Sequence, residues 1–179
     1  MILLLTVFIN INITPLHAAQ ASGVEDRLQL QSEQGYNEQQ ALQNKLTPYL
    51  PAANPSRGAI SQASQDLDYL AHAIYGEARG EPYEGKVAVA SVVMNRVESG
   101  RFGNSIKEVI FQPGAFSATR DGQYYLQPDD SSYEAAAAAL NGWDPTDGAI
   151  YFWNPDTATD EWVHTRTVSK TIGNHVFAL

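Results

Sequence analysis

Residues Tyr83 to Val97 read YEGKVAVASVVMNRV and set the centre of the predicted fold. The Val and Ala residues of this segment recur at nearly every position, so a helix built from it is apolar on every side. At a protein surface such a helix would expose much of its apolar area to water, which is unfavourable. The sequence therefore predicts a helix buried in the middle of a domain.

An amphipathic helix is predicted immediately before this segment, in a part of the chain that begins at Gln65. Apolar residues recur there at helical spacing, and we expect the helix to end near Gly76 or Gly80. The apolar positions are Leu67, Leu70, Ala71, Ile74 and Ala78.

Two Ser-x-x-Glu sequences predict further helices after the central one. Ser105 with Glu108 has the pattern of a capping box, in which the serine caps the first turn of a short helix. Ser131 with Glu134 repeats the pattern before an alanine-rich run, which Asn141-Gly142 is expected to end.

From Ala149 onward the sequence changes to aromatic and β-branched residues, which favour strands. Three short runs have this character, and turns are expected between them at Asn154-Pro155 and Gly173-Asn174. The runs are Ala149–Trp153, Trp162–Thr165 and His175–Phe177. The predicted fold class is therefore α+β, a mainly helical domain with a small antiparallel β-sheet.

The N-terminal third of the chain has a different composition. Residues 1–21 combine an apolar run with Ala19-Gln20-Ala21, which predicts a secretory signal peptide, although no Lys or Arg lies near Met1. The alternative is a hydrophobic N-terminus that packs on the domain. Residues 22–64 are predicted to be a Gln- and Pro-rich tether, in which residues 25–43 form a loose helix anchored by Leu28, Leu30 and Leu42. Residues 65–179 form the globular domain.

Charge and cysteine content exclude several classes of function. The 179-residue chain has a formal net charge of −9 and a pI of about 4.7. Such an acidic surface repels nucleic acid phosphates and anionic lipid, so neither is a predicted partner. Cysteine is absent, which excludes disulfides, thiolate nucleophiles and zinc–thiolate sites.

Glu77 is the leading candidate for a catalytic residue. It follows Leu70 by seven positions and Ile74 by three, so it continues the apolar stripe of the first predicted helix. A carboxylate on this side of a helix is costly unless it is paired or lines a cleft. The functional interpretation is a general acid in a cleft, and the structural alternative is an ion pair with Arg79 or Arg96.

Six ordered segments carry a more specific signal: Tyr75–Pro82, Gly85–Val97, Val109–Ser117, Ala139–Thr146, Tyr151–Pro155 and Ile172–Phe177. Together they closely resemble the catalytic domain of the spore cortex-lytic and related cell wall hydrolases, over about residues 67–178. Several ordered segments at the right spacing are far more specific than one short motif.

The resemblance implies a lysozyme-like domain that cuts peptidoglycan between N-acetylmuramic acid and N-acetylglucosamine. It places the catalytic glutamate at Glu77 and implies a lytic transglycosylase mechanism, in which one acidic residue suffices and the product is a 1,6-anhydromuramyl sugar. A hydrolytic muramidase would need a second carboxylate. Glu81, Glu84 and Asp121 are candidates for it, although Glu81 and Glu84 are expected to face solvent. The alternative from another class is a non-catalytic peptidoglycan-binding module.

A glycan-binding groove needs flat aromatic faces and planar hydrogen-bonding groups. The aromatic candidates are Phe116, Tyr124, Tyr125, Tyr151 and Trp153. The polar candidates are Gln112, Ser117 and Asn154. The alternative is that Phe116, Tyr151 and Trp153 belong to the core, and that the polar residues only fix the adjacent turns.

His72, His164 and His175 are the histidines of the mature chain, and no H-E-x-x-H motif accompanies them. A zinc amidase is therefore a weak alternative, and we expect neither a metal site nor a cofactor. The expected partner is the glycan strand of peptidoglycan, without nucleic acid and without stable membrane insertion after signal removal. The protein is expected to be a monomer and to be exported to the periplasm, the cell wall or the medium.

Overall fold

The computed structural model describes residues 27, 29–35, 37, 40, 41, 44, 47–49 and 57–179. The chain divides into two compact units, Met1–Lys45 and Leu46–Leu179. In the first unit the described residues are helical and exposed, as predicted for residues 25–43. The predicted signal peptide and the anchors Leu28 and Leu42 lie outside the described residues. Within the described part of the chain, no helix has the length and apolar content needed to cross a bilayer.

The second unit is mainly helical and carries a three-stranded antiparallel sheet, which confirms the predicted fold class. Its helices are α1 (Arg57–Ala78), α2 (Tyr83–Ser99), α3 (Ile106–Ile110), α4 (Ser117–Asp121) and α5 (Asp130–Leu140). Its strands are β1 (Tyr151–Trp153), β2 (Val168–Ile172) and β3 (His175–Ala178). Short 3-10 helices lie at Thr47–Tyr49, Gln123–Tyr125 and Glu161–Thr165.

Helix α2 lies between two hydrophobic clusters, which confirms the prediction of a central buried helix. One side, with Val87 and Val93, packs against helices α1, α3 and α5. The other side, with Val89 and Val92, packs against the sheet, where Phe177 is fully buried. Helices cover one face of α2 and the sheet covers the other, so apolar side chains on all sides of α2 are buried. Burying a valine side chain stabilises the fold by roughly 1.5–3 kcal/mol, so α2 supplies much of the core.

The starts of two helices differ from the sequence predictions. Helix α1 begins at Arg57 and continues through Gly58, which costs about 1 kcal/mol relative to alanine and does not stop a well-packed helix. Helix α5 is capped by Asp129 rather than by Ser131: Asp129 Oδ1 accepts hydrogen bonds from Ser132 N at 2.8 Å and Ser132 Oγ at 2.6 Å. The buried Lys86 ammonium, 3.6 Å from the Asp129 carboxylate, favours a charged cap.

The middle strand prediction is wrong. Trp162–Thr165 forms the 3-10 helix Glu161–Thr165, and the strand is β2, Val168–Ile172. The two-residue turn Gly173-Asn174 pairs Ile172 with His175, so the partner of β3 has to be the segment immediately before the turn. Strand β1 occupies the other edge of β3, which leaves no pairing position for residues 161–165.

The C-terminal end of α2 holds the segment that leads into β1. Asp144 Oδ2 accepts hydrogen bonds from Asn95 Nδ2 at 3.0 Å and Gly148 N at 2.9 Å. Asp144 Oδ1 accepts from Thr146 N at 2.8 Å and from the Thr146 hydroxyl at 2.6 Å. Burial acts to raise the pKa of Asp144, but these hydrogen bonds outweigh it and hold the pKa below the usual aspartate value.

Replacing Asp144 by Ala is expected to lower the free energy of unfolding by about 3 kcal/mol, because several hydrogen bonds to a charged group are lost. The folded-state pKa is lowered, so this contribution is complete above the usual aspartate pKa of 3.8 and is lost as the pH falls through the folded value. Urea denaturation of both proteins between neutral and acidic pH measures the difference. Asp156→Ala, at an exposed aspartate, is the control and should change little. An equal effect of both substitutions would contradict this account.

Candidate active site

The carboxylate of Glu77 lies at the last turn of α1 and faces the start of α4. Ser117 Oγ donates to it, 3.2 Å from Oε1 and 3.0 Å from Oε2, and the Ala118 amide donates to Oε1 at 2.7 Å. These contacts fix the position of the carboxylate. A hydroxyl donates or accepts as needed, so Ser117 can hold Glu77 in either protonation state.

Gly76 permits the close approach of α4 to α1. A Cβ atom at this position would overlap the Cβ of Ala118, which is attached directly to the backbone and cannot rotate away. The absence of a side chain at Gly76 therefore brings the Ser117–Ala118 segment within hydrogen-bonding distance of Glu77.

Glu77 lies on the wall of an open cleft between α1, the start of α4 and the sheet. The cleft is lined by Gly76, Glu77, Ala115, Ser117, Phe152, Trp153, Asn154, Thr157, Ala158 and His175. A second cleft shares Ala115, Phe152, Trp153 and Ala158 with the first and extends past Gln112, Tyr151 and Trp162. Their volumes, about 370 and 400 Å³, lie within the usual size range of small-molecule sites. Because they share residues, the two clefts adjoin, and we refer to them together as the groove.

Most of the predicted site residues lie along this groove. Ser117, Trp153 and Asn154 line the cleft with Glu77. Gln112, Tyr151 and Trp153 line the adjoining cleft. Asn154 also fixes its own turn, since its Oδ1 accepts from Asp156 N at 2.9 Å. The structural and the functional interpretations of this residue therefore both apply.

Phe116 is the predicted site residue that the structure contradicts. It is only 2% exposed and packs on Phe152, with ring centroids 6.0 Å apart. Its ring also lies against the guanidinium of Arg96, 5.3 Å from the ring centroid. It is a core residue because its ring belongs to the hydrophobic cluster that also contains Ile74, Val93 and Ile110. Tyr124 is likewise buried, and Tyr125 is exposed but does not line the groove.

The ion-pair alternative for Glu77 is not formed. Among the described residues, no arginine or lysine makes a salt bridge to its carboxylate. Arg96 instead donates from Nε to Ile150 O at 2.8 Å and lies between the rings of Phe102 and Phe116. Burial lowers the pKa of Arg96 to about 10, opposed by Tyr151 and Glu77, so the guanidinium stays charged at neutral pH. Glu77 therefore faces the cleft without a direct cationic partner.

The candidates for a second carboxylate do not line the groove. Glu84 is exposed, and Asp121 accepts hydrogen bonds from Gln123. The prediction that Glu81 faces solvent is wrong, because its side chain is only 8% exposed. Glu81 accepts from Asn174 N at 2.8 Å and Asn174 Nδ2 at 3.0 Å, and so holds the turn between β2 and β3.

His175 is a site residue that the sequence reasoning missed. It lines the cleft beside Glu77, although the residue as a whole is only 7% exposed. Burial lowers its pKa below the usual histidine value, opposed by the charges of Glu81 and Glu77. The signal that could have located His175 is the alternation of side chains along β3, which places His175 on the same face as the buried Phe177.

The other histidines have structural or surface positions. His72 Nδ1 lies 2.7 Å from Tyr124 O, and His164 is exposed. Among the residues that the structure describes, no three His, Asp or Glu side chains are arranged to hold a metal ion.

Comparisons with known proteins find a matching family and similar structures. A family model described as Cell Wall Hydrolase matches residues 80–178. A spore cortex-lytic enzyme of Oceanobacillus iheyensis is 50% identical over 127 residues, 71% of this chain and 45% of the relative. The chain thus spans about half the length of such relatives.

Two solved structures have the same fold. The catalytic domain of the Bacillus cereus SleB protein has a TM-score of 0.62 and 46% identity, covering 73% of this chain and 96% of that one. The catalytic domain of the germination-specific lytic transglycosylase SleB from Bacillus anthracis has a TM-score of 0.62 and 47% identity, covering 73% of this chain and 100% of that one.

Proposed function

The chain belongs to the cell wall hydrolase family, and on this premise we propose that it cleaves peptidoglycan glycan strands between N-acetylmuramic acid and N-acetylglucosamine. The observation that carries the proposal is the Glu77 carboxylate, held by Ser117 and Ala118 on the wall of an open groove. A carboxylate so positioned is suited to proton transfer to a bound substrate.

In the proposed reaction Glu77 is protonated when the glycan binds. It donates its proton to the glycosidic oxygen, and the bond from that oxygen to the muramyl anomeric carbon breaks. The muramyl C6 hydroxyl oxygen attacks the same carbon and loses its proton, which closes a 1,6-anhydro ring. The relative from Bacillus anthracis is described as a lytic transglycosylase, which supports this outcome. This outcome needs no second carboxylate. Glu81, Glu84 and Asp121 line neither cleft, and Asp160 lines only the adjoining cleft, not the one that contains Glu77.

The groove provides the contacts that a sugar chain requires. Tyr151 and Trp153 offer aromatic faces for the CH patches of sugar rings, and the Tyr151 hydroxyl lies 3.4 Å from Arg101. Gln112, Ser117 and Asn154 offer groups for the hydroxyls and acetamido groups. The two joined clefts favour a substrate of several sugar units over a single one.

A protein that acts on this substrate has to reach the wall side of the membrane. Export, with residues 1–21 as the signal peptide, is therefore part of the proposal. The same-class alternative is a muramidase that adds water at the anomeric carbon, and the other alternative is a binding module without turnover.

The purified protein incubated with peptidoglycan, with and without EDTA, tests the proposal. We expect glycan fragments to be released at the same rate in both samples, since the proposed chemistry uses only side chains. Loss of activity with EDTA together with release of free stem peptides would indicate the zinc amidase instead. Binding without any release would indicate the binding module.

A further inference from the structure

His175 has an unusual environment for a histidine on a cleft wall. Its Nδ1 is enclosed by protein and makes no hydrogen bond to a described residue. No described residue makes a hydrogen bond to its Nε2 either, and His175 lines the cleft that contains Glu77. With Nδ1 enclosed, Nε2 is the ring nitrogen left to contact a bound substrate.

The position of Glu81 selects the tautomer of the ring. Glu81 Oε1 lies 3.9 Å from His175 Nδ1, too far for a hydrogen bond but close enough for a strong electrostatic effect. A proton on Nδ1 is attracted by this carboxylate, whereas a lone pair there would be repelled by it. The favoured neutral form carries its proton on Nδ1 and presents the lone pair of Nε2 to the cleft.

Glu81 is fixed in this position by the fold. It accepts two hydrogen bonds from Asn174, the residue before His175. A Cβ on Gly173 would overlap the Glu81 carboxylate, and Gly173 has a φ of 59°, so glycine is required at this turn. The turn therefore fixes the Glu81 carboxylate, and the carboxylate stabilises the turn. His175 is the residue directly after this turn.

We propose that His175 Nε2 accepts a hydrogen bond from the hydroxyl that attacks the anomeric carbon and takes its proton as the new bond forms. This inference rests on the proposed function and divides the two proton transfers between two residues. Glu77 gives its proton to the leaving oxygen, and His175 takes the proton of the muramyl C6 hydroxyl. After product release, His175 loses the proton to solvent and Glu77 gains one. Glu81 is a positioning residue.

The titratable groups that face His175 are Glu77, at the last turn of α1, and Glu81, in the turn after α1. Strands β1 and β3 contribute the rings of Phe152 and Phe177, which do not titrate, at centroid distances of 5.4 and 6.3 Å. Burial among these rings keeps the imidazole neutral near neutral pH, as a proton acceptor must be.

The pH dependence of cleavage tests the role of His175. The pH profile of the wild type on soluble glycan fragments is expected to have an acid limb, because His175 must be neutral to accept a proton. Its acid limb should have a midpoint below 6.5, the usual histidine pKa, since burial lowers the value here. His175→Gln is expected to lower kcat by about 10²–10³-fold and to abolish the acid limb, with a smaller change in KM. His164→Gln, at an exposed histidine, should keep the acid limb.

A second measurement begins with the wild type itself. Nitrogen-15 NMR of the wild-type imidazole at neutral pH should show the proton on Nδ1 of His175, and Glu81→Gln should shift the population toward Nε2. A proton on Nε2 in the wild type would overturn the proposal, as would an unchanged acid limb in a folded His175→Gln protein. A wild type that cleaves no glycan would contradict the proposed function and this role with it. Normal cleavage with an unaltered His175→Gln profile would contradict only the role of His175.

Discussion

Glu77→Gln is expected to lower the rate of glycan cleavage by about 10²–10⁴-fold, the usual contribution of a general acid. Glutamine has the shape of glutamate and can accept the Ser117 and Ala118 hydrogen bonds through its carbonyl oxygen, but it has no acidic proton to give to the leaving sugar. Binding of the glycan should change little, so the effect should appear in kcat. Release of soluble fragments from peptidoglycan, followed over time, measures it.

Glu98→Gln is the matched control for this substitution. Glu98 is exposed near the end of α2 and lines neither cleft, so its loss should leave the rate unchanged. Thermal unfolding of both variants should match that of the wild type, which separates a chemical effect from a folding defect. Cleavage by Glu77→Gln at the wild-type rate would remove Glu77 from the mechanism.

Gly76→Ala is expected to reduce kcat/KM by about 100-fold, the cost of a displacement of about 1 Å in a catalytic geometry. In an ordinary helix this change would be stabilising by about 1 kcal/mol, because alanine favours helix over glycine. Here the new methyl group would overlap the Ala118 Cβ. Overpacking costs about 1–3 kcal/mol, so the steric effect is expected to win and to push α4 away from Glu77.

Gly80→Ala provides the control for this second substitution. Gly80 follows the same helix, but a Cβ there would have no atom within 4 Å, so both activity and stability should be retained. Measuring kcat/KM and the midpoint of thermal unfolding for the two variants tests the argument. Full activity of Gly76→Ala would show that the hydrogen bonds from Ser117 and Ala118 do not position the acid.

Some features could be predicted from the sequence because the local residue pattern and the tertiary packing favour the same structure there. The apolar run of α2 is compatible only with a helix covered on all sides, and the structure places it between two clusters. Glu77 was located by its spacing from Leu70 and Ile74 in the same helix. The stripe argument left two environments open for this carboxylate, a cleft and an ion pair with Arg79 or Arg96, because either avoids the cost of burying an unpaired charge.

Other features depend on distant partners that a local pattern does not contain. The choice of Asp129 over Ser131 as the cap of α5 depends on Lys86, 43 positions earlier in the chain. The burial of Glu81 depends on its hydrogen bonds to Asn174. His175 was considered only as a metal ligand, and its place in the cleft depends on the pairing of β3 with both neighbouring strands.

The central claim is that Glu77 promotes attack by the sugar's own hydroxyl on the anomeric carbon. Digestion of peptidoglycan in water enriched in oxygen-18, followed by mass spectrometry of the fragments, tests it most directly. The account predicts fragments with unlabelled 1,6-anhydromuramyl ends, each one water lighter than a hydrolysis product. Labelled reducing ends would contradict it, because they would show that water, and not the C6 hydroxyl, attacks the glycan.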